Sequence, residues 1–355
     1  MLPKKVLFIG LGGAGQRHLR IFNEFLPSET EYFAYRQTKT TPLLTPSFEI
    51  DDSKTLESAF NLRSFEDMDK ALLCEPDLTV ISTPTSLHKM PMLKAVEANS
   101  GVFVEKPWAE NLDKFDDFAN QIIRKKLPFH ISFQRRFNSE ILSAFTAIKV
   151  GKIGRPISAT FDVFSYVPAW HKYEDWKSLY AVRKDLGGGV LLTEIHEIDL
   201  ACWFFGPPQH VFCVGGNLAN DRLDVEDTIQ ATLMYSDFSI QITLCFMHRQ
   251  PSRNFHIIGS KGDIVWSEQS QQCIVRDFDV EQDTKNASIT TNQTNDDIFR
   301  QQARKFLSDW SPEDSRASLS AAFNSLAVVE AAKCSMASSK PEAVQPLPSI
   351  LIDQN

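Results

Sequence analysis

Residues 5–10 read K-V-L-F-I-G, an unbroken apolar run closed by glycine. A run that short, with no polar alternation, suits a parallel strand buried on both faces. Over residues 14–26 the spacing becomes helical, with Leu19, Phe22 and Phe25 or Leu26 on one face. The alternation then repeats. Strands are predicted at 31–36, 78–83, 101–104 and 128–133, with helices at 66–73, 88–99 and 113–126. Strands separated by helices imply a parallel, doubly wound sheet.

Near residue 130 the period changes. Strand-like runs crowd together at 157–166, 209–216, 226–235, 239–248, 253–259, 262–267 and 272–276, separated by turns such as Gly259-Ser260-Lys261-Gly262. Neighbouring strands with short turns predict an antiparallel sheet. One helix, at about 189–204, interrupts it, and two more close the chain near 295–309 and 315–337. Residues 279–296 are polar and aperiodic, which predicts an exposed loop. The expected organisation is a first domain over 1–130 and a second over 131–355, leaving open whether the last helix packs back on the first.

Composition narrows the function classes. The chain has 355 residues, 43% hydrophobic and 23% charged, with a net charge of -8. That length suits two domains. An acidic chain lacks the basic footprint that nucleic acid or an anionic membrane surface requires, so neither is expected as a partner. No apolar run reaches the roughly 20 residues of a bilayer span. Lys4 and Lys5 precede an apolar stretch, but four glycines interrupt it, so it reads as a first strand and not as a signal peptide. The six cysteines form no C-x-x-C pair and are widely spaced. The expectation is a reducing, cytoplasmic compartment with no disulfide and no metal site.

The most specific local signal is G-L-G-G-A-G at 10–15, with a predicted strand before it and a helix after it. In that context Gly10, Leu11, Gly12, Gly13, Ala14 and Gly15 read as the dinucleotide turn of a Rossmann domain. Gly10 allows the tight turn, Gly12 lets the backbone approach a pyrophosphate, and Gly15 lets helix and strand pack closely. The helix N-terminus attracts the negative charge. After the second strand the chain reads A-Y-R-Q-T-K, with no acid to hold ribose hydroxyls. Arg36 stands where a 2′-phosphate would lie and Lys39 is near, so NADP is expected ahead of NAD.

Four further segments follow the glycine turn: T-P-T-S-L-H at 83–88, E-K-P at 105–107, Q-R-R-F-N at 134–138 and G-G-G-V-L-L-T-E-I-H-E-I-D at 187–199. In order and spacing they resemble the glucose-fructose oxidoreductase and inositol dehydrogenase family, Gfo/Idh/MocA, over nearly the whole chain. The resemblance implies a Rossmann domain followed by an α+β domain with a large, mostly antiparallel open sheet, with the active site between them. It also implies a homodimer or homotetramer built through that sheet, and a Lys106-Pro107 peptide that is often cis. Thr83, His88 and Glu105 match the family's cofactor-side positions, although His88 reads equally as a structural histidine at a helix start.

Lys106 follows a buried strand at its carboxyl end, where open α/β sheets bind ligands. A lysine there can hydrogen-bond a reacting hydroxyl and help lower its pKa. His196 and Asp199, spaced i, i+3, share a helix face. His196 suits a general base, and Asp199 could orient it or bind a substrate hydroxyl. H-E-x-x-H is excluded because residue 200 is leucine. Arg135 offers a fork for an anion on cofactor or substrate. Tyr166, Trp170 and Tyr180 are either a substrate wall or core, and Gly187-Gly188-Gly189 is expected to pass close to the nicotinamide. Relatives usually carry aspartate three or four residues before the histidine; this chain has Thr193 and Leu192 there. Thr193 is therefore a candidate neutral contact to substrate.

The expected activity is hydride transfer between NAD(P) and a secondary hydroxyl carbon of a sugar, polyol or nucleotide sugar. Two rivals are a catalytically silent sensor that binds dinucleotide and a partner protein, and a reductase of a non-sugar substrate such as a linear tetrapyrrole or an imine.

Overall fold

The computed structural model describes residues 2–37, 41–170, 175–219, 223–278, 287–308 and 310–352. Lys39 lies outside them. In chain order the first half carries β1 (Lys5–Ile9), α1 (Gly13–Phe25), β2 (Glu31–Tyr35), α2 (Leu56–Phe60), β3 (Leu62–Phe65), α3 (Met68–Leu72), β4 (Leu78–Ile81), α4 (Lys89–Glu97), β5 (Gly101–Glu105), α5 (Phe115–Lys125) and β6 (Phe129–Ser132). The second half carries α6 (Ser139–Lys149), β7 (Pro156–Tyr166), α7 (Val190–Thr193), α8 (His196–Phe205), β8 (His210–Gly216), β9 (Thr228–Met234), β10 (Ser239–Cys245), β11 (Met247–Gly259), β12 (Gly262–Ser267), β13 (Gln272–Asp277), β14 (Ala287–Thr290), α9 (Asn295–Ser308), α10 (Ser315–Ser338) and β15 (Glu342–Ala343).

Two compact units result. The first combines residues 1–132 with 299–323 and 347–355; the second holds 133–298 and 324–346. In the first, six strands pair in the order β3-β2-β1-β4-β5-β6, and every pair is parallel. This is the doubly wound order of a dinucleotide-binding sheet. The apolar runs seen in the sequence are fully buried: Val6, Phe8, Leu78, Val80 and Val104 are all at 0% exposure. Ile9 registers with Ile81, and Ile81 with Val104. The segments after β1, β4 and β5 therefore leave the sheet at one edge, which brings the glycine turn, Thr83 and Glu105-Lys106-Pro107 together.

The second unit holds a nine-stranded sheet in the order β14-β13-β12-β11-β7-β10-β9-β8-β15. It is antiparallel except that β10 runs parallel to β7. Period-2 burial marks one covered face, with Phe161, Val163, Ile240, Ile242, Phe255 and Ile257 inward. Phe204 of α8 packs on Phe161 and Phe255 at 6.1 and 5.7 Å.

Three sequence expectations need correction. The helix expected over 189–204 is two helices, α7 and α8, interrupted at Glu194 and Ile195. Within the loop expected at 279–296, residues 287–290 pair with β13 as a strand and α9 begins at Asn295, while 279–286 lie outside the described residues. Helix α6 was not anticipated, yet its Asn138 side chain caps the N–H of Ile141 at 2.9 Å. Among the described residues no helix is long and apolar enough to cross a membrane.

Candidate active site

In the first unit two glycines of the turn answer separate steric demands. Gly10 has a φ of 89°, and a Cβ on it would stand 2.7 Å from the Ser82 carbonyl carbon. A Cβ on Gly15 would stand 2.0 Å from the Gly10 carbonyl oxygen. A Cβ on Gly12 would meet nothing within 4 Å. Gly10 and Gly15 are thus required by the protein itself, whereas Gly12 faces open space. Helix α1 starts here with no acidic residue in its first turn and no side-chain cap, so its first N–H groups and positive dipole end are left for an anion. A cavity of about 410 Å³ adjoins the turn, lined among others by Gly10, Tyr35, Arg36, Thr83, Leu87 and Met90. These features fit a dinucleotide.

Arg36 is buried, and its guanidinium is already engaged: Nη1 donates to Glu57 Oε1 at 2.6 Å and Nη2 to the Thr41 carbonyl at 3.2 Å. Thr83 donates its hydroxyl to the Leu87 carbonyl at 3.1 Å. His88 is fully buried, with Nδ1 2.8 Å from the Pro107 carbonyl and Nε2 2.8 Å from the Thr83 carbonyl. Both ring nitrogens face carbonyl oxygens, so His88 bridges the two loops. Burial pulls its pKa down, while the two carbonyl acceptors favour the protonated ring.

Glu105 is likewise an anchor. Its Oε1 accepts from His18 of α1 at 2.7 Å and from Ser132 at 3.1 Å, and its Oε2 faces the Lys106 N–H at 3.2 Å. Burial works to raise its carboxyl, but the His18 hydrogen bond and charge, with Lys106 and Ser132, hold it below the usual range. Lys106 is half-buried at the carboxyl end of β5, and its bond to Pro107 is cis.

In the second unit His196 opens α8 at 4% exposure. Its Nε2 lies 3.4 Å from the Gln134 amide nitrogen, and Phe133 meets the ring edge-on at 6.1 Å. Gln134 Oε1 is buried with no hydrogen-bond partner. Asp199 does not serve His196. Arg136 grips it with Nε and Nη2 at 2.9 and 2.7 Å, and the Ser325 hydroxyl adds a contact at 3.3 Å. Burial pushes this carboxyl up and the Arg136 fork pulls it down. At 1% exposure with both oxygens engaged, Asp199 is a strut that fixes α8, which corrects the catalytic role expected for it.

A buried charge cluster, invisible in the motif, flanks His196. Arg253 of β11 donates to Glu194 and to Glu197, both at 2.6 Å. Arg135 donates to Glu268 at 2.8 Å, leaving its buried Nε unsatisfied. The signal for Arg253 was its inward position, in step with Phe255 and Ile257. Burial, only partly offset by Arg253, raises the Glu197 carboxyl. Thr193 is buried in α7. Tyr166 and Tyr180 are half-buried, with Arg249 6.0 Å from the Tyr166 ring, while Trp170 packs edge-on against Phe246 at 5.4 Å.

Gly188 and Gly189 each answer a steric demand of the chain itself. A Cβ on Gly188 would stand 2.5 Å from the Tyr180 carbonyl oxygen, and one on Gly189 2.4 Å from Glu226 Oε1. Gly189 also has a φ of 107°. The close approach is to the chain's own backbone and to Glu226.

Comparison with known proteins adds to this geometry. A family model described as the NAD-binding Rossmann fold of an oxidoreductase family matches residues 4–133, and its C-terminal alpha/beta domain matches 146–344. A 2,7-anhydro-N-acetylneuraminate hydratase of Escherichia coli K12 is 30% identical over 148 residues, 41% of this chain and 38% of that protein. The NAD(+)-dependent scyllo-inositol 2-dehydrogenase of Bacillus subtilis 168 is 26% identical over 165 residues, 46% of this chain and 45% of that one. The chain spans about half the length of the curated relatives it matches. A levoglucosan dehydrogenase solved with NADH and levoglucosan superposes with a TM-score of 0.79 at 18% identity, covering 96% of this chain and 99% of that one.

Proposed function

Since the chain belongs to the Gfo/Idh/MocA oxidoreductase family, we propose that it transfers a hydride between a nicotinamide dinucleotide and a secondary hydroxyl carbon of a sugar, polyol or nucleotide sugar. The observation that carries this reading is the turn at Gly12, open to a pyrophosphate beside a helix N-terminus with no acid of its own. The bound nucleotide supplies the hydride chemistry. The protein supplies orientation and proton handling. Lys106 hydrogen-bonds the reacting hydroxyl and favours its ionisation, and His196 takes its proton. Thr193 offers a neutral contact where relatives use a carboxylate, and Arg135 an anion contact. Tyr166, Trp170 and Tyr180 present ring faces to a sugar.

Between NADPH and NADH the deciding side chain is Arg36, and its pairing with Glu57 speaks against a gain from the 2′-phosphate. The reading places the protein in the cytoplasm, in keeping with six widely spaced cysteines that form no C-x-x-C pair. It also joins copies through the open face of the second sheet, supported by the exposed Val214, Met234 and Ile258 on it. A second reading, a dinucleotide-binding sensor with reduced activity, is favoured by Thr193 and by the commitment of Asp199 to Arg136.

The test is fluorescence titration with NADH and NADPH, then a screen of cyclic polyols and sugars with Lys106→Ala and His196→Ala. Turnover lost in both variants with nucleotide binding retained supports the dehydrogenase. Nucleotide binding without turnover on any substrate favours the sensor.

A further inference from the structure

We propose that Glu57 sets the choice between NADH and NADPH, by holding Arg36 in an internal ion pair that spends its charge. The inference rests on the dinucleotide reading of the first unit. Sheets that bind NAD usually carry an acid at the end of the second strand. Here Arg36 occupies that end, and the acid comes from another element, the first turn of α2.

The geometry is specific. The Arg36 side chain retains 4% of its accessible surface and Glu57 33%. Arg36 Nη1 and the Ser64 hydroxyl both donate to Glu57 Oε1, at 2.6 and 2.7 Å. Burial works against the Glu57 charge, but the Ser64 hydrogen bond and the charge of Arg36 hold its carboxyl below the usual range. The carboxylate is held in place, because α2 is fixed by a reciprocal cap in which Thr55 and Ser58 bond each other's backbone N–H. On the other side Arg36 Nη2 is spent on the Thr41 carbonyl.

Arg36 nonetheless lines the 410 Å³ cavity beside the glycine turn. A free arginine there would meet a 2′-phosphate with a bidentate, charge-assisted fork. A paired one has its charge matched, and any phosphate it reaches must also face a carboxylate. That like charge acts as the repulsive element that specificity requires. A 2′-hydroxyl carries no such penalty. Glu57 therefore withholds Arg36 from NADPH and leaves NADH binding largely untouched.

The experiment is fluorescence titration of the full chain with NADH and with NADPH, for the parent, Glu57→Gln, and Glu57→Gln combined with Arg36→Met, with thermal melting as the control for folding. The parent is expected to bind NADH at least as tightly as NADPH. Glu57→Gln should shift the NADPH-to-NADH affinity ratio toward NADPH by at least about tenfold, the value for one unit charge about 12 Å from another at an effective dielectric constant of about 20. The gain should shrink at high salt and vanish in the double variant. An unchanged ratio in a folded Glu57→Gln protein that still binds NADH overturns the role of Glu57 alone. Absence of binding of either nucleotide to parent and variants, at millimolar concentration, overturns the dinucleotide reading and this inference with it.

Discussion

Gly12 and Gly15 lie three residues apart in one turn and answer to different masters. Gly15 is needed by the fold, since a Cβ there would sit 2.0 Å from the Gly10 carbonyl oxygen. Gly12 is needed only by something that fills the space in front of it. Gly15→Ala should therefore cost about 1–3 kcal/mol of stability through overpacking, read by urea denaturation. Gly12→Ala, at the N-cap of α1, should cost less than about 1 kcal/mol of stability yet weaken NADH binding by about tenfold or more. Equal loss of affinity and stability in both variants would refute the distinction. The same logic applies to Asp199. As a strut on Arg136, its replacement by asparagine should lower stability by about 2 kcal/mol, less than for a fully enclosed pair because Arg136 retains 22% of its surface. At this scale the glycine turn and Glu105-Lys106-Pro107 were legible because each is a contiguous string with local steric consequences. The partners of Arg36 and Asp199 were not, because Glu57 is 21 residues away and Arg136 is 63 away. No local pattern records which charges meet. His88 illustrates this: its position suits a cofactor-side or a structural histidine alike, and only the fold shows its ring set between two carbonyls.

At the scale of elements, the segment that presents His196 is shaped by Arg253. The break between α7 and α8 falls at Glu194 and Ile195. Glu194 before the histidine and Glu197 after it are both tied to one guanidinium from β11. Arg253→Met would leave two buried carboxylates without their cation and should cost about 3–5 kcal/mol at neutral pH. The pH dependence has a definite sign. Burial already raises the Glu197 carboxyl in the folded state, and Arg253 is the first influence opposing it. Without Arg253 it rises further. A carboxyl raised on folding contributes stability at low pH that is lost as pH climbs through its folded value. The deficit of Arg253→Met should thus be larger at neutral pH and shrink on acidification toward the ordinary carboxylate range, as urea midpoints at both ends would register. A deficit that grows on acidification would contradict this picture. The sequence revealed most strands, because their period-2 and continuous apolar runs are strong. It missed the helix break, since Val190 to Phe205 is helical in pattern throughout and the ionic contacts that flank the interruption are long-range. It missed α6 because an apolar stripe of Ile141, Ala144 and Ala147 is thin. It missed β3, whose four residues L-R-S-F offer only two apolar positions.

The first unit is completed by chain that returns from far along the sequence, and this changes what counts as a domain. Phe306 and Leu307 of α9 belong to the same buried cluster as Phe8, Phe22 and Phe103. Phe306 meets Phe103 at 5.4 Å and Phe22 at 6.4 Å. Trp310 approaches Gly101 so closely that a Cβ there would lie 3.0 Å from its ring. The returning segment also closes the open edge of the sheet: Ser315 and Ser318 accept from the N–H groups of Phe129 and Ile131 in β6, both at 2.9 Å. An edge left bare would expose those donors and a large aromatic surface. Residues 1–132 carry the whole glycine turn and every strand of the parallel sheet, so by sequence they look self-sufficient. Expressed alone, they should give no cooperative thermal transition. Joined through a flexible linker to residues 295–323, they should melt cooperatively and bind NADH. In the full chain Phe306→Ala should cost about 3–5 kcal/mol, the order for emptying a buried phenylalanine site. If the 1–132 fragment alone melts cooperatively near the temperature of the full chain, the returning segment is an ornament. If it does not, the nucleotide-binding half forms only when the distal segment is in place, and substitutions around Phe306 will weaken NADH binding without touching a residue of the turn.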